Sequence, residues 1–383
     1  MRTRGVPDFV LLILTALLLG FGVTMVLSAS SIYAYTGIYT SRGCGICNGD
    51  ELFFVKKQIT WAVLGIVAML IAMNIPFSFY KRNFRWIVAG TFIMLLLVLV
   101  NGIGSEGKGA QSWFKFGGVN LQPAEFAKLG IILYLAAIID KKGERFREFK
   151  TGLIPPVVIT GIFFVLIAIQ PDLGSAAVLL GTAALVMICG GAKISHLFLL
   201  TVPIGSMFLA SYVSLYSHAL SRLTTFMDPW SDPMGAGWQL KQSLFALANG
   251  GITGVGFGKS VQKYLYLPEA HTDFIFSIIA EELGFVGTLL FILLYICFLL
   301  RGLQICLRCN DNFASLVGVG IVSMIGLQAL VNIGGVTGAI PLTGVTLPFI
   351  SYGGSSLLIT LIATGILLSV SREVSKQKIA PTA

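Results

Sequence analysis

Apolar residues come in long, nearly unbroken stretches along this chain, separated by polar segments rich in Gly, Pro, Lys and Arg. A helix needs roughly 20 apolar residues to cross the hydrocarbon of a bilayer. About ten such stretches are legible, at 8–30, 53–75, 85–104, 122–140, 152–170, 172–191, 195–216, 273–301, 313–338 and 353–371. The fifth and sixth are divided only by Gln170-Pro-Asp-Leu-Gly174, and the one sizeable hydrophilic interval is 217–272. The pattern predicts an all-α polytopic membrane protein: a bundle of about ten transmembrane helices forming one integral-membrane domain over 1–383, with one large loop at 217–272 between spans seven and eight. The first stretch, from Phe9, lacks a small-residue cleavage site and is expected to be a retained span rather than a removed signal peptide.

Composition agrees. Charged residues make up 11% of the 383 positions and hydrophobic ones 56%, with a mean hydropathy of +0.87. A soluble domain would carry about 25% charged residues. The Lys and Arg fall mainly in alternate connections, densest at 141–150, which places both termini on the cytoplasmic side and the 217–272 loop outside. The net charge of +9 fits contact with anionic lipid on the inner face and gives no reason to invoke nucleic acid. Six cysteines include Cys44-Gly-Ile-Cys47 and Cys306-Leu-Arg-Cys309, but the topology puts these pairs on opposite sides and so argues against a shared zinc site. The outer pair suits a small disulfide, and the inner pair is expected to be reduced.

On this topology four interrupted segments open on the outer side: 104–123, 170–174, 217–272 and 339–356. Loops of one face on a helical scaffold are a usual place for a site. In the first, Pro123 suits the first turn of a helix, and Glu125 and Lys128 stand three apart on it. They form either an internal ion pair or a Lys facing a phosphorylated ligand. Trp113 alone reads as an interfacial aromatic. Asp172 suits a helix cap at the break between two spans. In the large loop, Asn249-Gly-Gly-Ile-Thr-Gly-Val-Gly-Phe-Gly-Lys-Ser260 ends like a phosphate-binding P-loop but has Thr253 where the first Gly belongs. Lys241, Lys259 and Lys263 make this loop basic enough to hold an anionic lipid headgroup.

Acidic groups at the edge of or within a span are costly and point to function. The sharpest case is Leu267-Pro-Glu-Ala-His-Thr-Asp273, which runs straight into an apolar helix containing Glu281 and Glu282. Asp273 is either a helix cap or a general base acting on an alcohol. Glu281 and Glu282 suit bonds to neighbouring helices. His271 is either a solvated loop residue or a proton shuttle, and counts among the candidate substrate contacts. Finally, Pro341-Leu-Thr-Gly-Val-Thr-Leu-Pro-Phe-Ile-Ser-Tyr-Gly-Gly-Ser-Ser356 breaks an apolar context, which is tolerated where backbone is buried or lines a cavity. Ser351 and Ser355 are its candidate substrate contacts. No His/Cys/Asp/Glu cluster with metal-ligand spacing is evident.

Leu121-Gln-Pro-Ala-Glu-Phe-Ala-Lys-Leu129, Gln170-Pro-Asp-Leu-Gly174, Tyr266-Leu-Pro-Glu-Ala-His-Thr-Asp-Phe-Ile-Phe276, Glu281-Glu-Leu-Gly284 and the 341–356 segment together resemble the SEDS (shape, elongation, division and sporulation) family, and its FtsW/SpoVE branch more than RodA. The resemblance implies a ten-span peptidoglycan glycosyltransferase that polymerises lipid II on the outer face of the cytoplasmic membrane, in division, elongation or sporulation. A lipid II flippase is the alternative. It implies that Asp273 is the essential acid, and it maps the family's outer-loop Trp onto Trp113 and its Glu and Lys onto Glu125 and Lys128. It also implies a class B penicillin-binding protein as partner and leaves a divalent cation, Mg²⁺ or Mn²⁺, open as a cofactor. One departure is Gln111, where many members carry Arg; Lys108 or Lys115 would then have to replace it at a phosphate.

Overall fold

The computed structural model describes residues 5–36, 44, 47–100, 104–107, 110–116, 119–199, 205, 224–230 and 237–379. Most of the predicted seventh span, and parts of the 217–272 interval, lie outside the described residues.

The helices follow the apolar stretches closely. They are α1 (Phe9–Thr36), α2 (Phe53–Asn74), α3 (Phe77–Val98), α4 (Pro123–Lys142), α5 (Ile154–Ile169), α6 (Leu173–Cys189), α7 (Trp238–Gly250), α8 (Ile275–Leu307), α9 (Asn312–Val336) and α10 (Gly354–Ile379). Six helical segments among the described residues are long and apolar enough to cross a membrane: those beginning at Phe9, Phe53, Phe149, Ile275, Asn312 and Gly354. The chain is a multi-pass helical membrane protein.

Three boundaries differ from expectation. α3 begins at Phe77 rather than 85, so Lys81, Arg82 and Arg85 are helical and not in a loop. Pro76, with extended backbone, supplies its N-cap, and Lys81 reaches Asp140 near the end of α4 at 2.7 Å. Long basic side chains at a span end keep their charge at the interface in this way. The 217–272 interval contains a helix of its own, α7. The 104–121 segment forms a small antiparallel sheet, β1 (Gly104–Gly107), β2 (Ala110–Phe116) and β3 (Val119–Leu121), in that order. It lies at the loop end of an otherwise helical molecule. Its β2 strand alternates, with Ser112 and Phe114 buried while Trp113 and Lys115 are more open.

α4 and α9 form the centre, packed against each other and against α6, while α3 covers α4 and α10 lies along α2. Helices apolar all round belong in such positions. At one end of the bundle residues 5–8 are tied to α8 and α10. Arg301 of α8 holds Asp8 through two bonds of 3.1 and 2.7 Å, Asp8 N donates to Ser371 Oγ at 3.1 Å, and Arg372 donates to Gly5 O at 2.9 Å. The broken segments gather at the other end.

α8 is interrupted at Gly284, whose φ of 66° and ψ of −171° lie outside the helical region. Such a break would orphan the N–H groups of residues 285 and 286 and the carbonyls of 281 and 282. The 251–256 loop satisfies all four. Val255 N and Gly256 N donate to Glu281 O and Glu282 O, each at 3.0 Å, while Phe285 N and Val286 N donate to Gly251 O and Ile252 O at 2.9 and 3.1 Å. Loop and helix backbones come so close that a Cβ on Gly284 would stand 2.1 Å from Gly254 N.

Candidate active site

The interrupted segments converge on one cleft of about 780 Å³. Its walls come from β2 (Trp113, Lys115) and β3 (Asn120), the α5–α6 junction (Asp172), α7 (Gln239), the turn before α8 (Glu269, Asp273) and the 342–356 segment (Thr343, Ser355). The expectation that loops of one face build one site therefore holds in space.

Asp273 sits in the turn leading into α8, half-buried and lining the cleft. It does not occupy that helix's N-cap position, which is Phe274 and carries no side-chain cap bond. Gly344, at φ 72°, brings its backbone to the carboxylate, so that a Cβ there would lie 3.7 Å from Asp273 Oδ2. The Asp273 carbonyl accepts a 2.8 Å hydrogen bond from Asn332 Nδ2. Asp172 takes the structural role expected of it: its Oδ1 accepts from Ser175 N at 3.0 Å at the start of α6, and its Oδ2 accepts from Gln122 Nε2 at 2.7 Å.

Glu125 and Lys128 form the internal pair. Lys128 Nζ lies 2.8 Å from Glu125 Oε1 and donates at 3.1 Å to Gln328 Oε1 of α9. Both members are buried, but only Glu125 reaches the cleft wall. The chain of bonds continues from Gln328 Nε2 to Ser356 Oγ at 3.4 Å, and Thr346 Oγ1 donates to the same hydroxyl at 3.0 Å. Lys128 is thus tied into the wall rather than presented to a ligand.

Several other expected contacts stand elsewhere. Lys263 is not an exposed headgroup ligand. It is buried, with Nζ 3.2 Å from Glu282 Oε1 and donating at 2.6 Å to Gly258 O. Lys241 places Nζ 5.1 Å from the centre of the Trp230 ring, and Lys259 is exposed on the glycine-rich loop; neither lines the cleft. His271 is not a solvated loop residue. It is buried among Phe54, Tyr33 and Tyr352, with ring centroids at 4.4, 5.3 and 5.7 Å. Ser351 Oγ accepts from Leu347 N at 2.8 Å and so closes its own turn. Ser355 and Trp113 do line the cleft. The Gln111 side chain and Lys108 lie outside the described residues.

Glu281 and Glu282 have structural roles, although their partners come mainly from the loop and not from helices. Glu281 accepts from the Ser260 hydroxyl and from Val261 N at 3.1 Å. Glu282 accepts from Ser28 Oγ of α1 at 2.6 Å and pairs with Lys263. Cys44 and Cys47 form a disulfide, while Cys306 and Cys309 are free thiols. Among the described residues no group of three or more His, Cys, Asp or Glu is placed to hold a metal ion.

Lys57 and Lys115 are the cations that line the cleft among the described residues, and Glu269, Trp61 and Asn332 line it as well. Lys57 reads in sequence as an ordinary flank of a span. Asn332 did carry a signal, as one of two amides, with Gln328, inside an apolar helix.

Residues 9–376 match the family model described as "Cell cycle protein", FtsW/RodA/SpoVE. The chain is 42% identical over 369 residues to "Stage V sporulation protein E" of Bacillus subtilis, covering 96% of this chain and 97% of that one. It is 41% identical to a "Probable peptidoglycan glycosyltransferase FtsW" of Geobacter metallireducens, covering 95% and 94%. Two solved structures, each 28% identical, align over 96% of this chain. One, described as "Structural coordination of polymerization and crosslinking by a peptidoglycan synthase complex", gives a TM-score of 0.76 and is covered over 98% of its length. The other, Thermus thermophilus rod shape determining protein RodA, gives 0.69 and is covered over 97%. With its fold, the order of its motifs and nearly its whole length in common with these proteins, the chain belongs to the FtsW/RodA/SpoVE family.

Proposed function

We propose that this protein is a peptidoglycan glycosyltransferase that polymerises lipid II at the outer face of the cytoplasmic membrane, with Asp273 as its general base. The observation that carries this reading is the position of Asp273: a half-buried carboxylate on the wall of the large cleft, in the turn before α8 and not at its N-cap position. Asp273 takes the proton of the acceptor sugar's 4-hydroxyl as that oxygen attacks the donor's anomeric carbon. The bond from that carbon to the undecaprenyl pyrophosphate oxygen breaks, with inversion. The leaving group needs its charge balanced rather than a proton, so one carboxylate suffices, unlike the pair used in glycoside hydrolysis. Lys57 and Lys115 supply that positive charge, since Lys128 is already held by Glu125 and Gln328.

In this reading the cleft end faces outward and both termini are cytoplasmic, in line with the Lys/Arg distribution. A class B penicillin-binding protein is the partner, supported by the likeness to a chain of a peptidoglycan synthase complex. The flippase alternative is not favoured, because relatives at about this level of identity carry glycosyltransferase names.

The test is polymerisation of lipid II by purified protein in detergent, where transport has no meaning. Glycan chains should form with the wild type. Folded Asp273→Asn should be slower by about 10²–10⁴-fold, the usual contribution of a general base. Near-wild-type turnover by that variant would sink the assignment.

A further inference from the structure

Asp273 needs a fixed position as well as a basic oxygen, and its own helix does not provide one. Asp273 precedes the first residue of α8 by two positions, in a turn where Glu269 has a φ of 57°. A side chain from a different helix holds this turn. Asn332 of α9 donates from Nδ2 to Asp273 O at 2.8 Å and to Val345 O at 2.7 Å. A primary amide has two hydrogens, and both are used here. The orientation of the amide is chemically determined, because two carbonyl oxygens can only accept and must therefore face the NH₂ rather than the oxygen. Asn332 is 3% exposed, and its Oδ1 has no hydrogen-bond partner among the described residues.

The two carbonyls belong to two different walls of the cleft. One is that of the candidate base. The other follows Gly344, whose backbone lies against the carboxylate of that base. Neither wall is regular helix at this point, so neither has its own ladder of bonds to keep it in register. Asn332 links both to α9, at the centre of the bundle.

We infer that Asn332 is a positioning residue for the glycosyl transfer: it anchors the main chain of Asp273 and the 343–345 wall together, and so sets where the carboxylate stands relative to the acceptor hydroxyl. This inference rests on the assignment of Asp273 as the base. Loss of the amide orphans two carbonyls and frees the turn to shift. A displacement of about 1 Å from reacting geometry can cost about 10²-fold in rate. Substrate binding is shared by the whole cleft, so the loss should fall on kcat and leave KM for lipid II nearly unchanged.

The experiment compares wild type, Asn332→Leu, Asp273→Asn and the double variant in the detergent polymerisation assay, with a thermal melt to confirm folding. Asn332→Leu keeps the volume and removes both donors. Its kcat is expected to fall by about 10²-fold, with KM within about threefold of wild type. The double variant should be no slower than Asp273→Asn alone, since a base that is absent cannot be misplaced. If Asn332→Leu does not yield folded protein, Asn332→Ser, smaller and with one donor, carries the same test and should show a lesser loss of kcat. Wild-type kcat in a folded Asn332 variant, or a multiplicative loss in the double variant, would overturn the proposal while leaving the base intact. Full turnover by Asp273→Asn would remove the base and this inference with it.

Discussion

Asp273 and the pair Glu281–Glu282 belong to one short stretch of sequence and carry the same functional group, yet the fold treats them differently. The two glutamates are engaged by donors from the protein, Glu282 through Oε1 alone. Glu281 collects the Ser260 hydroxyl and the Val261 N–H, and Glu282 collects Ser28 and the buried ammonium of Lys263. Asp273 is held by its main chain, with its carboxylate at the cleft. A buried charge must be paired and hydrogen-bonded to be tolerated. The glutamates approach that condition by fastening a loop to a helix: Glu281 through both oxygens, Glu282 through its pair with Lys263. The difference lies in where the fold places each group and not in its chemistry: the glutamates inside the joint between loop and helix, Asp273 on the cleft wall.

This contrast can be broken or sharpened by substitution. The largest effect is expected from Asp273→Asn set beside Glu281→Gln. The first should lose activity by about 10²–10⁴-fold with an unchanged melting temperature, and the second should melt earlier yet keep turnover in the folded fraction. Equal activity losses with equal melts would erase the distinction. Next comes Lys263→Met, which leaves Glu282 buried without its cation. Breaking a buried pair from one side costs about 3–5 kcal/mol, readable by chemical denaturation in detergent, and Lys263→Met/Glu282→Leu should recover much of that loss. Gly284→Ala should cost at least about 1–3 kcal/mol from its left-handed backbone, before any clash with Gly254; a melt equal to wild type would show that the loop is not stitched to the break.

The smallest effect is expected at the other end of the bundle. Burial raises the pKa of Asp8, but the Arg301 hydrogen bond, the Leu11 N–H and the Arg301 charge outweigh it and hold the carboxyl below the ordinary aspartate value. A depressed folded pKa gives stability that is present above the unfolded value and lost as pH falls through the folded one. Asp8→Asn should therefore cost less than about 1 kcal/mol near neutral pH, as expected for a solvent-screened pair. That difference from wild type should fade from about pH 4 downward. A difference that persists at low pH would mean that packing, and not charge, ties residues 5–8 to α8 and α10.

Much of the fold was legible because span length and apolarity are properties of a single segment. The boundary of α3 was missed because Lys81, Arg82 and Arg85 look like a loop until Asp140 is seen beneath Lys81. The three-stranded sheet was missed because glycines and charges hide its alternation. The site was legible where one segment carries the chemistry, as in the turn holding Asp273. It was not legible where the outcome depends on partners distant in sequence. Spacing left Lys128 undecided between a ligand and Glu125, and Gln328 settles the matter from another helix. Lys263 looked like a loop cation because nothing local reveals that Glu282 lies against it. His271 looked solvated because Tyr33, Phe54 and Tyr352 come from three other elements.

The interruption of α8 at Gly284 also has a consequence for exchanging parts between relatives. Because the main chain of 251–256 completes the hydrogen bonding of 281–286, the glycine-rich loop and the first turns of α8 are one heritable block. A chimera cut between them would join two halves of an interlocked backbone that were never selected together. The natural unit of transplantation runs from Asn249 through Val286 and carries Asp273 within it, so altering the loop by recombination also risks re-aiming the carboxylate.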